Sequence, residues 1–287
     1  MPQTSDLAVL LCHGSYHTPA PYGPLLEALQ ARGIAAYCPQ LPTADLTKLN
    51  VGDVANPDFD REPPPGGYPQ GEEDTDAVLS VLKPLVEASK EVLIVGHSSG
   101  GWVATQAAHR DLQADVRKSQ GLAGGVIGIL YAGAFVIPVG ESVNSFFQPK
   151  DRNFVTPPFM TFHKHGAAGL GTVVNAEKFL FNDLHEFSAK QWAATLTASP
   201  ILTSKLTNDA YSVLPCAYLV LEGDLTLPRE YQEGMVGLQG YKTGNFTIYN
   251  CPAGHSPHLS WTEGMVDTIE SFIAKVKGER GAKQGPK

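Results

Sequence analysis

A chain of 287 residues with 43% hydrophobic content is long enough to bury a large core, as one domain with a sizeable insertion or as two. Its formal net charge of -8, with no run of Lys or Arg, argues against a nucleic-acid partner and mostly means solubility. The N-terminus, Met1-Pro2-Gln3-Thr4-Ser5-Asp6, lacks a basic n-region, and the apolar run at 7–12 leads into His13-Gly14 instead of a cleavage site, so neither a signal peptide nor a membrane span is expected.

Short apolar runs at 7–12, 34–38, 92–95, 126–135, 217–221 and 246–249 alternate with helical or loop segments, the order that a parallel sheet with crossover helices requires. Most are apolar throughout, so both sheet faces should be covered. The first run ends in Cys12-His13-Gly14-Ser15-Tyr16-His17, and a helix over 24–31 ends at Gly33. Residues 41–72, with Pro63-Pro64-Pro65-Gly66-Gly67, are too rich in Pro and Gly to be a regular element; they either border the site or form a surface excursion. A helix follows over 75–89. The stretch 121–128 is glycine-rich before a strand, whereas a phosphate-cradling loop follows one and carries Lys.

Residues 141–213 break the strand rhythm. Phe146, Phe147, Phe154, Phe159, Phe162, Phe179, Phe181, Phe187 and Trp192 are spread there among short helical patterns, which predicts a helical cap over the sheet. A helix over 265–276 closes the fold, and 278–287 reads as a disordered tail. The expected organisation is a doubly wound α/β core, 1–140 and 214–277, with the cap at 141–213. Cys12, Cys38, Cys216 and Cys251 each lie in or beside a predicted strand and read as buried free thiols of a reducing, cytoplasmic compartment. Their wide spacing, like the short tract His163-Lys164-His165 and the lone His185-Glu186, argues against a metal site.

Gly96-His97-Ser98-Ser99-Gly100 falls between the run ending at Val95 and the small-residue stretch from Gly101. A strand turning sharply into a helix strains its turn residue and lifts that residue's hydroxyl clear of the sheet edge, while flanking glycines remove clashing Cβ atoms. Ser98 is therefore the candidate nucleophile. A serine hydroxyl needs a base, and the base needs an acid to orient it. His255, in Gly254-His255-Ser256-Pro257-His258, follows the last predicted strand, and Asp224, in Glu222-Gly223-Asp224, follows the strand before it. His258 and Glu222 are the competitors for base and acid. Two donors must face the developing oxyanion: the Ser99 N–H after the nucleophile and, from the loop after the first strand, the Ser15 N–H.

The order Ser98, Asp224, His255 together with His13-Gly14-Ser15 and His17, Glu222-Gly223-Asp224 followed by Pro228-Arg229-Glu230-Tyr231-Gln232, and Ala253-Gly254-His255 through Leu259-Ser260 resembles the α/β-hydrolases of the branch containing plant methylesterases and hydroxynitrile lyases. The resemblance spans nearly the whole chain except the insert at 57–72 and the tail. It implies the α/β-hydrolase fold, the triad Ser98, Asp224 and His255, and oxyanion donors at Ser15 and Ser99; the motifs themselves imply no cofactor. Hydroxynitrile lyases of this branch carry Lys directly after the catalytic histidine, where this chain has Ser256. The leading expectation is hydrolysis of a carboxylic ester or lactone with an apolar or aromatic body through an acyl-enzyme. Lyase, cyclase or carbon–carbon bond chemistry in the same pocket, and a small-molecule receptor retaining the triad, are the alternatives. The expected partner is a small-molecule substrate, with no nucleic acid and no membrane, and a homodimer is allowed.

Overall fold

The computed structural model describes residues 6–151, 153–244 and 246–282. In chain order its strands are β1 (Leu7–Cys12), β2 (Ala35–Tyr37), β3 (Glu91–His97), β4 (Gly125–Ala132), β5 (Met160–Phe162), β6 (Leu170–Val173), β7 (Ala198–Pro200), β8 (Cys216–Leu221) and β9 (Phe246–Cys251). The helices that matter for the site are α1 (Gly23–Ala31), α2 (Gly71–Glu87), α3 (Gly100–Ala107), α4 (Ala114–Ser119), α5 (Val143–Phe147), α6 (Ala176–Phe179), α7 (Glu186–Ala193), α8 (Arg229–Thr243), α9 (Pro257–Ser260) and α10 (Thr262–Ala282).

The main sheet has the order β2-β1-β3-β4-β8-β9 with every neighbour pair parallel. Strand periodicity divides its side chains between two cores. Ala8, Leu10, Val92 and Ile94 face one layer with Val78 and Leu82 of α2 and Trp102 of α3. Val9, Leu11, Leu93 and Val95 face the other, with Leu25 and Leu29 of α1 and Ile269 and Phe272 of α10. Burial on both faces is why these runs are apolar throughout instead of alternating. This is the doubly wound α/β sheet expected from the sequence, and its carboxyl ends form the rim on which a site can be built.

Residues 141–213 carry α5, α6 and α7, together with an antiparallel three-stranded sheet, β5-β6-β7, that the sequence reading does not contain. Strands of three or four residues are too short for alternation to register. Leu49 and Val51 of the segment 41–72 are buried against Leu170 of β6 and Ala198 of β7, and the Lys164 amide donates to Asp60 at 2.8 Å. That segment thus buttresses the small sheet, and none of its residues lines the cavity that holds Ser98. At the other end, α10 runs past Val276 to Ala282, so residues 278–282 of the expected disordered tail are helical. Arg280 anchors them by pairing with Glu91 at 2.7 Å and Asp115 at 2.9 Å. Residues 283–287 of that tail, and 1–5 at the other end, lie outside the described residues. No helix among the described residues is long and apolar enough to cross a membrane.

Candidate active site

β3 delivers its chain to Ser98, whose φ of +52° is the left-handed backbone that L side chains avoid. The neighbouring backbone leaves no room for a side chain on the way into α3: a Cβ on Gly100 would lie 2.1 Å from the Cys12 carbonyl oxygen. A Cβ on Gly14, across the cleft, would lie 3.0 Å from the Ser98 Cβ. The strained turn is held by the Ser98 carbonyl, which accepts from Phe135 N at 2.8 Å and Gly101 N at 3.1 Å. Strain of this kind survives only where the surroundings fix it, and here they do.

His255 follows β9, and its Nδ1 lies 2.7 Å from Asp224 Oδ2, with both side chains buried. A carboxylate oxygen accepts, so Nδ1 donates in this bond and Nε2 is the ring nitrogen left to act as a base. The other Asp224 oxygen, Oδ1, accepts from Thr226 N and Leu227 N at 2.8 Å each. Glu222 stands apart, 43% exposed and 3.4 Å from Arg229 Nη1. His258 is fully buried and stacks on Tyr22 with ring centroids 4.1 Å apart, and neither of its ring nitrogens has a hydrogen-bond partner among the described residues. The structure therefore brings Asp224 to His255 and leaves both competitors elsewhere. Ser98 and His255 line one cavity of about 390 Å³.

Ser15 lies on the same cavity wall, but its N–H is already in use. It donates to Ser99 Oγ at 2.7 Å, and the Ser15 hydroxyl donates to the same oxygen at 2.8 Å. A substrate oxygen drawing on the Ser15 N–H would have to share it with Ser99 Oγ or displace that hydroxyl; free-state geometry in active sites commonly tightens only when the ligand arrives.

Several residues around this centre have roles that the sequence does not assign, although His13, His17, His97 and Gln232 stand in its motifs. His97 sits on the last position of β3, where its Nε2 lies 2.7 Å from the His255 carbonyl and its Nδ1 lies 2.7 Å from Tyr22 Oη. Burial and the neighbouring histidines hold it well below the ordinary imidazole range. Burial likewise brings His13 down to about 4 and His17 to about 3, so both rings are neutral near neutral pH. His13 takes the Leu41 N–H at 2.9 Å and so ties the end of β1 to the segment after β2. Gln232 of α8, fully buried, accepts from Leu221 N at 2.9 Å and donates to Leu227 O at 2.8 Å, clamping the turn that carries Asp224. From residues 141–213, Asp183 accepts the Gly254 N–H at 2.7 Å, gripping the turn that carries His255. Each of these bonds joins residues far apart in sequence except those of Gln232, which stands in the motif stretch after Asp224.

The remaining wall is mostly apolar, with Asn144, Gln148 and Thr226 as polar exceptions. Phe147, Phe159, Met160, Leu180, Ile201 and Leu227 contribute to it, and no Lys, Arg, Asp or Glu is found in the lining among the described residues. Among the described residues no group of side chains is arranged to hold a metal ion.

The family model described as the alpha/beta hydrolase family matches residues 9–268. An alpha/beta hydrolase of Aspergillus novofumigatus, nvfD, is 27% identical over 280 residues, covering 95% of this chain and 97% of the relative. A pyrethroid hydrolase of Sphingobium wenxiniae is 23% identical over 279 residues, covering 92% and 86%. Among solved structures, a pyrethroid hydrolase from Sphingobium faniae superposes with a TM-score of 0.67 at 20% identity, over 93% of this chain and 96% of that one. A methylesterase from Arabidopsis, of the branch that the motifs resemble, superposes with a TM-score of 0.63 at 15% identity, over 93% and 99%. At these identities the structural likeness is one of fold. With a parallel sheet that ends in a strained serine turn and a family match over most of its length, the chain belongs to the alpha/beta hydrolase family.

Proposed function

We propose that this hydrolase is serine-dependent and cleaves neutral carboxylic esters or lactones with an apolar body. The observation that carries the reading is one cavity in which the strained Ser98 and the Asp224-held His255 meet a lining without a formal charge. Ser98 Oγ attacks the carbonyl carbon and passes its proton to His255 Nε2, while Asp224 steadies the imidazolium. The carbonyl π pair moves onto oxygen, which the Ser99 N–H at the start of α3 and the Ser15 N–H receive. Collapse expels the alcohol with the proton from His255. Water then attacks the acyl-enzyme, giving its proton to His255, which passes it to the departing Ser98 Oγ as the acid is released.

An uncharged wall disfavours substrates that keep an ionised carboxylate at depth, since an unpaired buried charge is costly. The relatives named as pyrethroid hydrolases fit this preference. Cyanohydrin cleavage fits poorly, because Ser256 is fully buried and is not part of the cavity wall. The four cysteines, all free thiols, support a reducing, cytoplasmic setting. The test is covalent labelling by a serine-directed aryl phosphonate, followed by peptide mapping. Modification of Ser98 together with loss of aryl-ester turnover is expected, and labelling at another residue, or turnover that persists in Ser98→Ala, overturns the assignment.

A further inference from the structure

Four large apolar side chains on the wall of this cavity are also exposed: Phe154 at 38%, Val155 at 54%, Leu225 at 46% and Tyr231 at 60%. Single exposed apolar residues are ordinary, but these are grouped at the mouth of one apolar cavity, and polar clamps keep them there. On one side the Gln148 side chain pairs with the Val155 backbone in both directions, accepting its N–H at 2.8 Å and donating to its carbonyl at 2.9 Å. On the other, Leu225 is carried on the turn whose Thr226 and Leu227 amides bond Asp224 Oδ1, and Thr226 Oγ1 donates to the Phe179 carbonyl at 2.7 Å. Tyr231 stands in the first turn of α8, the helix that Gln232 locks to the end of β8. The mouth is therefore braced in an apolar, solvent-facing form.

We propose that Phe154, Val155, Leu225 and Tyr231 form an outer apolar subsite that takes the far hydrocarbon or aryl end of a substrate too long for the inner cavity. The proposal rests on the hydrolase reading and adds to it a substrate class: neutral esters with an extended apolar arm. Two ester series test it, p-nitrophenyl esters with acyl chains from acetyl to dodecanoyl and acetates of alcohols of growing length. In the wild type, kcat/KM should continue to rise along at least one series, by about three- to fourfold per methylene while contact lasts. In Leu225→Asn and Tyr231→Ser, singly and together, the ratio of kcat/KM for the longest over the shortest ester should fall at least about tenfold, as expected from losing two or more methylene contacts. Which series responds tells whether the acyl or the alcohol arm lies at the mouth. An unchanged ratio in both series overturns the subsite. Binding of a long dialkyl ketone to the same variants is read without turnover. If no ester is turned over but ketone affinity falls in the variants, the hydrolase reading fails while the subsite stands.

A separate chain of hydrogen bonds carries a second inference. The His255 carbonyl can only accept, so His97 Nε2 bears the proton of the 2.7 Å bond between them. His97 Nδ1 must then accept from Tyr22 Oη at 2.7 Å, and that phenol oxygen accepts the Gly14 N–H at 3.1 Å. All these groups are buried. We infer that Tyr22 and His97 are positioning residues that fix the loop bearing Ser15 against the loop bearing His255. Tyr22→Phe should lower kcat by about 10- to 100-fold with KM moved less than about threefold, the pattern of a lost transition-state geometry. Adding His97→Asn should cost little more, because the two act as one chain. Nitrogen-15 NMR of the wild type should show His97 protonated at Nε2 alone. The opposite tautomer, or a Tyr22→Phe variant that loses thermal stability but keeps kcat, overturns the assignment.

Discussion

Asp224 serves two purposes with two oxygens, one on the His255 imidazole and one on the amides of Thr226 and Leu227, and the division makes its amide variant informative. In Asp224→Asn the carbonyl oxygen can still take the two backbone amides, which turns the Nδ2 hydrogens toward His255 Nδ1. The imidazole then has to accept there and carry its proton on Nε2, the tautomer that cannot take a proton from Ser98. The variant should therefore keep its fold and lose kcat by about 10³- to 10⁴-fold, the size seen when a serine-protease triad suffers the same change. Glu222→Gln, at an exposed site paired with Arg229, should change kcat less than about twofold, since surface ion pairs contribute little. Steady-state rates on one aryl ester, with thermal melts alongside, decide it, and reversed sensitivities would move the acid to Glu222. Ser98→Ala and His255→Ala should each remove nearly all turnover and be no worse in combination, because the triad acts as a unit. Losses that multiply would break that unit. The placement of Ser98, Asp224 and His255 after β3, β8 and β9 was legible in sequence, because apolar runs precede each of them. The roles of Tyr22 and Asp183 were not, because nothing near them in the chain announces a partner across the site, and Gln232 stood in a motif that did not show what it holds.

The inserted segment 141–213 shows how one composition can serve two ends. In sequence its aromatic density reads as a single feature, yet the rings divide by position. Phe147 and Phe159 line the cavity. Phe181 is fully buried and Phe179 nearly so, packed with Leu180 and Ala189 in a cluster of their own. Phe187 is 65% exposed. Phe147→Ala and Phe159→Ala should thus shift preference between bulky aryl and small aliphatic esters by about 1 to 3 kcal/mol in kcat/KM, the scale of apolar specificity contacts. Phe181→Ala should instead cost about 3 to 5 kcal/mol of stability through the cavity it leaves. Phe187→Ala should do neither. Competitive kinetics on paired esters and denaturant melts separate the three outcomes, and an ester preference that never moved would make the insertion a packing element alone. Helical spacing could suggest an element here, but no period in the sequence marks which ring faces the core and which the substrate. That choice is made by how α5, α6 and the small sheet pack.

At the scale of the whole molecule, the parallel order of the main sheet was legible because its strands are buried on both faces and read as unbroken apolar runs. The attachment of the segment 41–72 was not, because it depends on a polar chain running between distant parts. Asp74 of α2 accepts from Thr43 N at 2.9 Å and from Thr43 Oγ1 at 2.7 Å. Ser199 of β7 donates to the Thr43 carbonyl at 2.7 Å and receives the Tyr16 N–H at 3.4 Å, beside the Ser15 loop. Helix α2, the segment 41–72, β7 and the Ser15 loop are therefore joined in series through Thr43 and Ser199, with the Asp74 carboxyl at one end of the chain. Burial pushes that carboxyl up to about 7 from its ordinary 3.8, although Thr43 bonds to it twice. Between these two values the folded protein holds a proton that the unfolded chain has lost, so this group's contribution to stability falls as pH rises through the window. Asp74→Asn removes the titration. Its stability relative to the wild type should climb from about pH 4 to about pH 7, at no more than about 1.4 kcal/mol per unit, and level off above. Denaturant unfolding of both proteins across that range measures the difference directly. A difference that does not change with pH would mean that Asp74 stays ionised throughout and that its bonds to Thr43 outweigh the cost of burying the charge.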